Sequence, residues 1–219
     1  MLSRLDYPAR SAAGERVLLL MLPGAGAHAG DFEAHGLVAD VQARHRGIDI
    51  IAAEPEMALY LDNAVADRLH REIVQPARRQ GYRRIWLLGI SLGGAGALLY
   101  TAAHTSEVEG VLLLAPFLGT QGTISALAGT GGITGSLDLG ISTPPEQALL
   151  GWLRTYSASG RQQPPIYLAF GKNDRFSRGH RMLAALLPPE RVIMRPGGHD
   201  WECWRRLLRR ILELQPFGA

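Results

Sequence analysis

The chain has one cysteine, Cys203, and one lysine, Lys172, among its 219 residues. A lone thiol excludes an intramolecular disulfide framework. Its setting in WECW reads as a small buried hydrophobe. Positive charge therefore falls to arginines, which are scattered and interleaved with acids, and the net charge is only +3. Without a basic block, and without an RRM, zinc-finger or helix-turn-helix pattern, nothing supports nucleic-acid binding. Long apolar runs are missing too. The first, Val17 to Pro23, stops at Pro-Gly. It is too short to cross a bilayer and lacks a signal-peptide cleavage pattern, so the expectation is a cytoplasmic protein without stable membrane insertion. His-Glu-x-x-His, paired cysteines and EF-hand loops are absent, so no metal is expected. Nor is a cofactor. Gly24 and Gly26 are followed by Ala29, with Gly30 one place too late for the dinucleotide spacing, and no P-loop pattern occurs.

What the sequence has in quantity is short apolar segments. VLLLML (17–22), IDIIAA (48–53), RIWLLG (84–89), GVLLLA (110–115), PIYLAF (165–170) and RVIMR (191–195) read as six strands. They are nearly continuous in apolar character rather than alternating, as in a parallel sheet covered on both faces. Helical patterns lie between them. Val65, Leu69 and Ile73 stack at i, i+4 spacing over 61–73, and Pro76 is expected to end or kink that helix. A second helix covers 94–103. Thr143, Pro144 and Glu146 supply an N-cap, an N1 proline and a capping-box acid for a third, to Tyr156. Ser177 is read as the cap of a fourth helix, to Leu187, and Asp200 as the cap of the last. That last helix sets Arg205, Arg206, Arg209 and Arg210 against Trp204, Leu207, Leu208 and Ile211. It reads as a surface helix packed on the sheet, with contact to anionic lipid as the alternative.

Strand and helix thus alternate in a single α/β domain over 1–219, a doubly wound, mostly parallel sheet of about six strands flanked by helices. One stretch breaks the rhythm. Residues 117–143 are rich in Gly, Ser and Thr and long for a loop, so 117–157 is a candidate lid.

The chemistry gathers around GISLGG (89–94), where Ser91 stands between glycines after a buried strand and before a helix. In a chain with 26 glycines the Gly-x-Ser-x-Gly pattern alone is weak; its strand-turn-helix context is the stronger part. A serine hydroxyl needs a base to become a nucleophile. Asp174 follows the fifth expected strand and His199 the sixth, which is the order a Ser-His-Asp relay on such a sheet requires. Ordinary turns would also place Asn173-Asp174 and His199 there. The other histidines sit inside helices or in polar stretches away from strand ends. Backbone N–H groups of Leu92, after the serine, and Ala25, in LPGAGAH after the first strand, are the candidates for an oxyanion hole, with Gly24 and Gly26 freeing that loop. Phe117 and Trp152, with Tyr156, are candidates for framing an acyl pocket.

With LPGAGA, GISLGG, GKND and GGHDWECW in that order, the chain resembles the serine esterases of the α/β-hydrolase superfamily. The segment around the nucleophile and the aromatic stretch after the histidine resemble the esterase D and enterochelin-esterase type. Pro23 departs from the histidine many members have in the oxyanion loop. By this resemblance the chain starts at the family's third strand and has no large cap domain. The resemblance implies a hydrolase of carboxylic esters with small to medium acyl groups, acting on a small-molecule substrate through an acyl-enzyme. An acyl thioesterase is the alternative. A catalytically silent binding protein is the rival of another class.

Overall fold

The computed structural model describes residues 1–11, 16–135, 143–158 and 163–218. Seven strands form one sheet: β1 (Ser3–Tyr7), β2 (Val17–Leu22), β3 (Ile48–Glu54), β4 (Arg84–Ile90), β5 (Gly110–Leu114), β6 (Ile166–Gly171) and β7 (Val192–Arg195). Their order is β1-β3-β2-β4-β5-β6-β7. All neighbours are parallel except β1, which runs antiparallel to β3 with Ser3 opposite Glu54. Every residue of β2 and β5 is buried. That explains their unbroken aliphatic sequence, since both faces are covered by helices.

The six strands expected from apolar runs are β2 to β7. A seventh, β1, precedes them, so the sheet does not start at β2. Four of the five residues in SRLDY are exposed. An antiparallel edge strand facing water carries no apolar run to read.

The helices are α1 (Asp31–Ala34), α2 (Leu37–Arg44), α3 (Met57–Leu61), α4 (Val65–Leu69), α5 (Gln75–Arg79), α6 (Leu92–Ala103), α7 (Gln121–Gly129), α8 (Pro144–Ala158), α9 (Ser177–Ala184) and α10 (Trp201–Glu213). Pro76 does not end its helix. A π-helical turn over His70–Val74 joins α4 to α5, with the Gln75 N–H bonded back to the His70 carbonyl. Widening the turn absorbs the residue that has no N–H to give. Thr143 and Glu146 form the expected capping box: the Thr143 N–H donates to Glu146 Oε2 at 2.8 Å, and the Glu146 N–H to Thr143 Oγ1 at 3.5 Å. Ser177 proves to be the first residue of α9 rather than its cap, a position taken by Phe176. The stretch 117–143 is not one long loop, because it contains α7, capped by Thr120 through Thr123 N–H. Gly and Thr hid a helix whose buried residues, Thr123 and Leu127, hold it to the core. Residues 136–142 of the candidate lid lie outside the described residues.

Helix α10 buries Trp204, Leu207, Leu208 and Ile211. Asp200 caps it, accepting from the Cys203 N–H at 2.9 Å. On its outer face Arg205 and Arg209 both reach Asp40 of α2, with Nε to Oδ2 distances of 2.7 and 2.9 Å. Arg206 meets Glu202 and Arg210 meets Glu213. The arginine face is thus laced to acids, as a packed surface helix requires. No helix among the described residues is long and apolar enough to cross a membrane. Asp40 is buried, a state that by itself raises a carboxyl pKa, but the two guanidinium partners more than offset this and hold it below the ordinary value. Replacing Asp40 by Ala leaves two arginines facing each other, and urea unfolding should show a lower midpoint. Glu202→Ala, on the open side, should barely move it.

Candidate active site

The sheet order reverses between β2 and β4, since the chain leaves β2 for β3 on one side and returns to β4 on the other. In open α/β sheets the crevice at such a point, beyond the carboxyl ends of the strands, is where ligands bind. The loop after β2 carries Gly24 to Gly26, and β4 ends directly before Ser91.

Ser91 has φ 50° and ψ −114°. A non-glycine residue in this region costs about 1–3 kcal/mol and persists only where its surroundings hold it. Here the Ser91 N–H donates to the Leu114 carbonyl at 3.1 Å. The Ser91 carbonyl accepts from Gly94 at 2.9 Å and Phe117 at 2.7 Å. Strand and helix cross so tightly that a Cβ on Gly89 would fall on the backbone of Gly93, and one on Gly93 would fall on the Leu22 carbonyl. The two glycines of Gly-x-Ser-x-Gly are therefore a steric necessity of the crossing.

Asp174 follows β6 and His199 follows β7, and both come to Ser91. His199 Nε2 lies 2.9 Å from Ser91 Oγ, and Nδ1 lies 2.7 Å from Asp174 Oδ2. With the imidazole protonated at Nδ1, that N–H donates to the carboxylate and Nε2 accepts from the serine hydroxyl. The second oxygen of Asp174 accepts from the Phe176 N–H at 2.8 Å. The Asp174 side chain has no exposed surface and that of His199 only 10%. Burial pushes the Asp174 carboxyl up; the hydrogen bonds from His199 and Phe176 outweigh it and hold the carboxyl below its ordinary pKa. The rings of Phe176 and Trp204 stand at 5.1 and 4.9 Å from the imidazole, nearly perpendicular to it. This chain of contacts can carry a proton away from the serine hydroxyl and return it.

Ser91, Ala25, Leu92 and Phe117 all line one cavity of about 390 Å³. Leu92 opens α6, so its N–H is among those without an intrahelical acceptor. Neither Gly24 nor Gly26 lines the cavity: a Cβ on Gly24 would sit 3.3 Å from that of Ser91, and Gly26, at φ +75°, shapes the turn. Trp152 does not line it either. It packs on Tyr156 and the core, while Pro145 and Leu149 are the apolar residues that α8 presents to the cavity. Glu146 ties that wall together, its Oε1 accepting from Thr120 N–H at 2.7 Å and its Oε2 from Thr123 Oγ1 at 3.2 Å. Sequence reasoning missed Met57 and Leu61 of α3, and Phe176. The signal was there in MALYL, an apolar cluster just past a strand end. Met57 and Leu61 remain 48% and 72% exposed at the cavity.

His180, next in sequence to the relay's acid segment, has another task. It is fully buried, and its Nε2 lies 3.0 Å from the Pro116 carbonyl in the loop that holds Ser91. Among the described residues, His70, His104 and Glu107 bring their possible ligand atoms within 4.8 Å of one another. They lie at the far end of α6, and the two imidazoles stack 4.1 Å apart with 4° between planes. Parallel rings aim their in-plane lone pairs past a common point.

No protein-family model matches the sequence, and no curated protein is similar to it. Solved structures are similar in fold. The chain has the α/β-hydrolase architecture, and it superposes over nearly its whole length on hydrolases of that kind. Est1E from Butyrivibrio proteoclasticus matches with a TM-score of 0.66 at 16% identity, covering 99% of this chain and 94% of that one. A monoacylglycerol lipase from Paleococcus ferrophilus matches at 0.65 and 15% identity, covering 100% of both chains. The S-formylglutathione hydrolase of Staphylococcus aureus matches at 0.64 and 15%, covering 97% and 83%.

Burial lowers the His180 pKa from 6.5 to about 4. Its neutral form is the one the fold accepts, so its stabilising contribution is complete above 6.5 and is lost as pH falls toward the folded value. The loss amounts to at most about 3 kcal/mol. Urea midpoints measured across this window should fall for the wild type and fall less for His180→Gln, which keeps a donor for Pro116.

Proposed function

We propose that the chain is a serine hydrolase of carboxylic esters. The observation that carries this reading is the unbroken Ser91–His199–Asp174 chain on a strained strand-helix turn, opening into a mainly aliphatic cavity. Ser91 Oγ attacks the acyl carbon as its proton passes to His199 Nε2. The oxyanion is received by the N–H groups of Leu92 and Ala25, where the amino end of α6 favours negative charge. His199 then gives the proton to the departing alkoxide, leaving an acyl group on Ser91. Water, losing a proton to the same nitrogen, attacks that acyl carbon; the acid departs and the proton returns to Ser91. Asp174 holds the Nδ1–H tautomer and stabilises the imidazolium.

The same steps cleave a thioester, with sulfur as the leaving atom. Hydrolysis of acylglycerols and of a glutathione thioester, named for two of the similar structures, brackets this choice of substrate. The complete relay favours turnover over silent binding. The substrate is read as a small molecule, with the acyl chain lying among Met57, Leu61, Leu99 and Leu149.

Incubation with a fluorophosphonate followed by intact-mass spectrometry should add one adduct to the wild type and none to Ser91→Ala. An adduct on Ser91→Ala, or none on a folded wild type, would refute the nucleophile. Asp174→Asn should keep the fold and lower kcat by about 10³- to 10⁴-fold, measured on a short-chain ester.

A further inference from the structure

Beside the cavity that Ser91 opens into lies a second one, of about 230 Å³. The two share Leu118, Gly119, Arg175 and Phe176 as their common wall, so they form two arms of one cleft. Their linings differ. The Ser91 arm is mainly aliphatic and aromatic, whereas the second arm adds Gln121, Ser125 and Arg178 to the shared Arg175 beside its apolar residues and, among the described residues, has no acid.

Among the described residues, the carboxylates of Asp174 and Glu146 are committed elsewhere. Asp174 gives one oxygen to Phe176 N–H and the other to His199. Glu146 gives Oε1 to Thr120 N–H and Oε2 to Thr123 and Thr143. Arg175 lies over the Phe176 ring at 4.9 Å, and Arg178 reaches Ser125 Oγ at 3.5 Å. Neither forms an ion pair among the described residues. Gln121 begins the nine-residue α7, and Arg178 and Gly179 lie in the first turn of the eight-residue α9, so two amino-terminal helix ends add positive potential to the same arm. A planar guanidinium presents paired donors that match carboxylate and phosphate oxygens.

We propose that this arm is a subsite for an anionic group of the substrate, a carboxylate or phosphate, bound by Arg175 and Arg178 while the ester lies at Ser91. The inference deepens the ester-hydrolase reading and rests on it for where the scissile bond sits. The anion belongs either to the far end of the acyl group or to the leaving group, and matched probes separate the two.

The test uses binding as well as turnover. Ser91→Ala, which leaves the probes uncleaved, is titrated calorimetrically with two pairs. One pair is the para-nitrophenyl monoester of glutaric acid against para-nitrophenyl pentanoate. The other is the butyrate ester of para-hydroxybenzoic acid against that of para-hydroxybenzamide. In one pair or the other the anionic member should bind about fivefold more tightly, the scale of two solvent-facing ion pairs. That ratio should shrink with added salt and fall to near unity when Arg175→Gln and Arg178→Gln are combined with Ser91→Ala. The wild type should show the same ratio in kcat/KM. Equal affinity within both pairs, or a preference that survives the double arginine replacement, would overturn the subsite. Failure of the hydrolase reading would look different: the wild type would cleave neither member of a pair, while the binding ratios would still decide the subsite.

Discussion

One backbone conformation governs the site. Ser91 sits with positive φ where β4 turns into α6, and that turn exists only because Gly89 and Gly93 let backbone meet backbone. The Ser91 carbonyl then accepts from Gly94 in the first turn of α6 and from Phe117, whose bond ties the turn to the loop after β5. That loop is itself held by His180 through the Pro116 carbonyl. The strain in one residue is thus spread over three elements, and what is gained is a hydroxyl raised to the crevice with helix N–H groups beside it.

Electrostatics completes what the turn begins. Asp174 is buried without an exposed side-chain atom, which would neutralise it were its oxygens not fully hydrogen-bonded. A carboxylate so held stays charged and points one way, and the imidazole it orients has a single useful tautomer. The aromatic rings on either side leave His199 little room to turn away. A similar bonding of buried acid to backbone recurs at Glu146, which ties the starts of α7 and α8 into one wall of the cavity. Asp174 and Glu146 are thus both bonded into the walls around Ser91.

Much of this was legible in advance where one residue pattern had one physical meaning. Fully buried parallel strands must be apolar throughout, so β2 to β7 could be read directly. Gly-x-Ser-x-Gly between such a strand and a helix, followed by an acid and a histidine at later strand ends, picked out three side chains that the fold brings within hydrogen-bonding distance. The capping box of Thr143 and Glu146 was equally local. The misreadings have a common cause. β1 pairs with β3 from a polar sequence because an edge strand needs a partner's backbone more than an apolar face. Helix α7 forms in a Gly- and Thr-rich stretch because Thr123 and Leu127 find burial there. The chain passes Pro76 because a π turn supplies a register that no local rule demands.

The sequence by itself determined the alternation of strand and helix, the identity and order of Ser91, Asp174 and His199, and the glycines that let Ser91 stand where it does. These are fixed by burial and by local sterics, which act over a few residues. The tertiary structure alone decided that the relay closes at 2.9 and 2.7 Å, that Phe117 faces the cavity while Trp152 packs away from it, and that α3, α8 and the turn after β6 meet around Ser91. Those outcomes depend on how separate helices settle on the sheet, a matter of volume and contact between residues far apart in the chain. Neither the periodicity nor the propensity of any one segment carries that information.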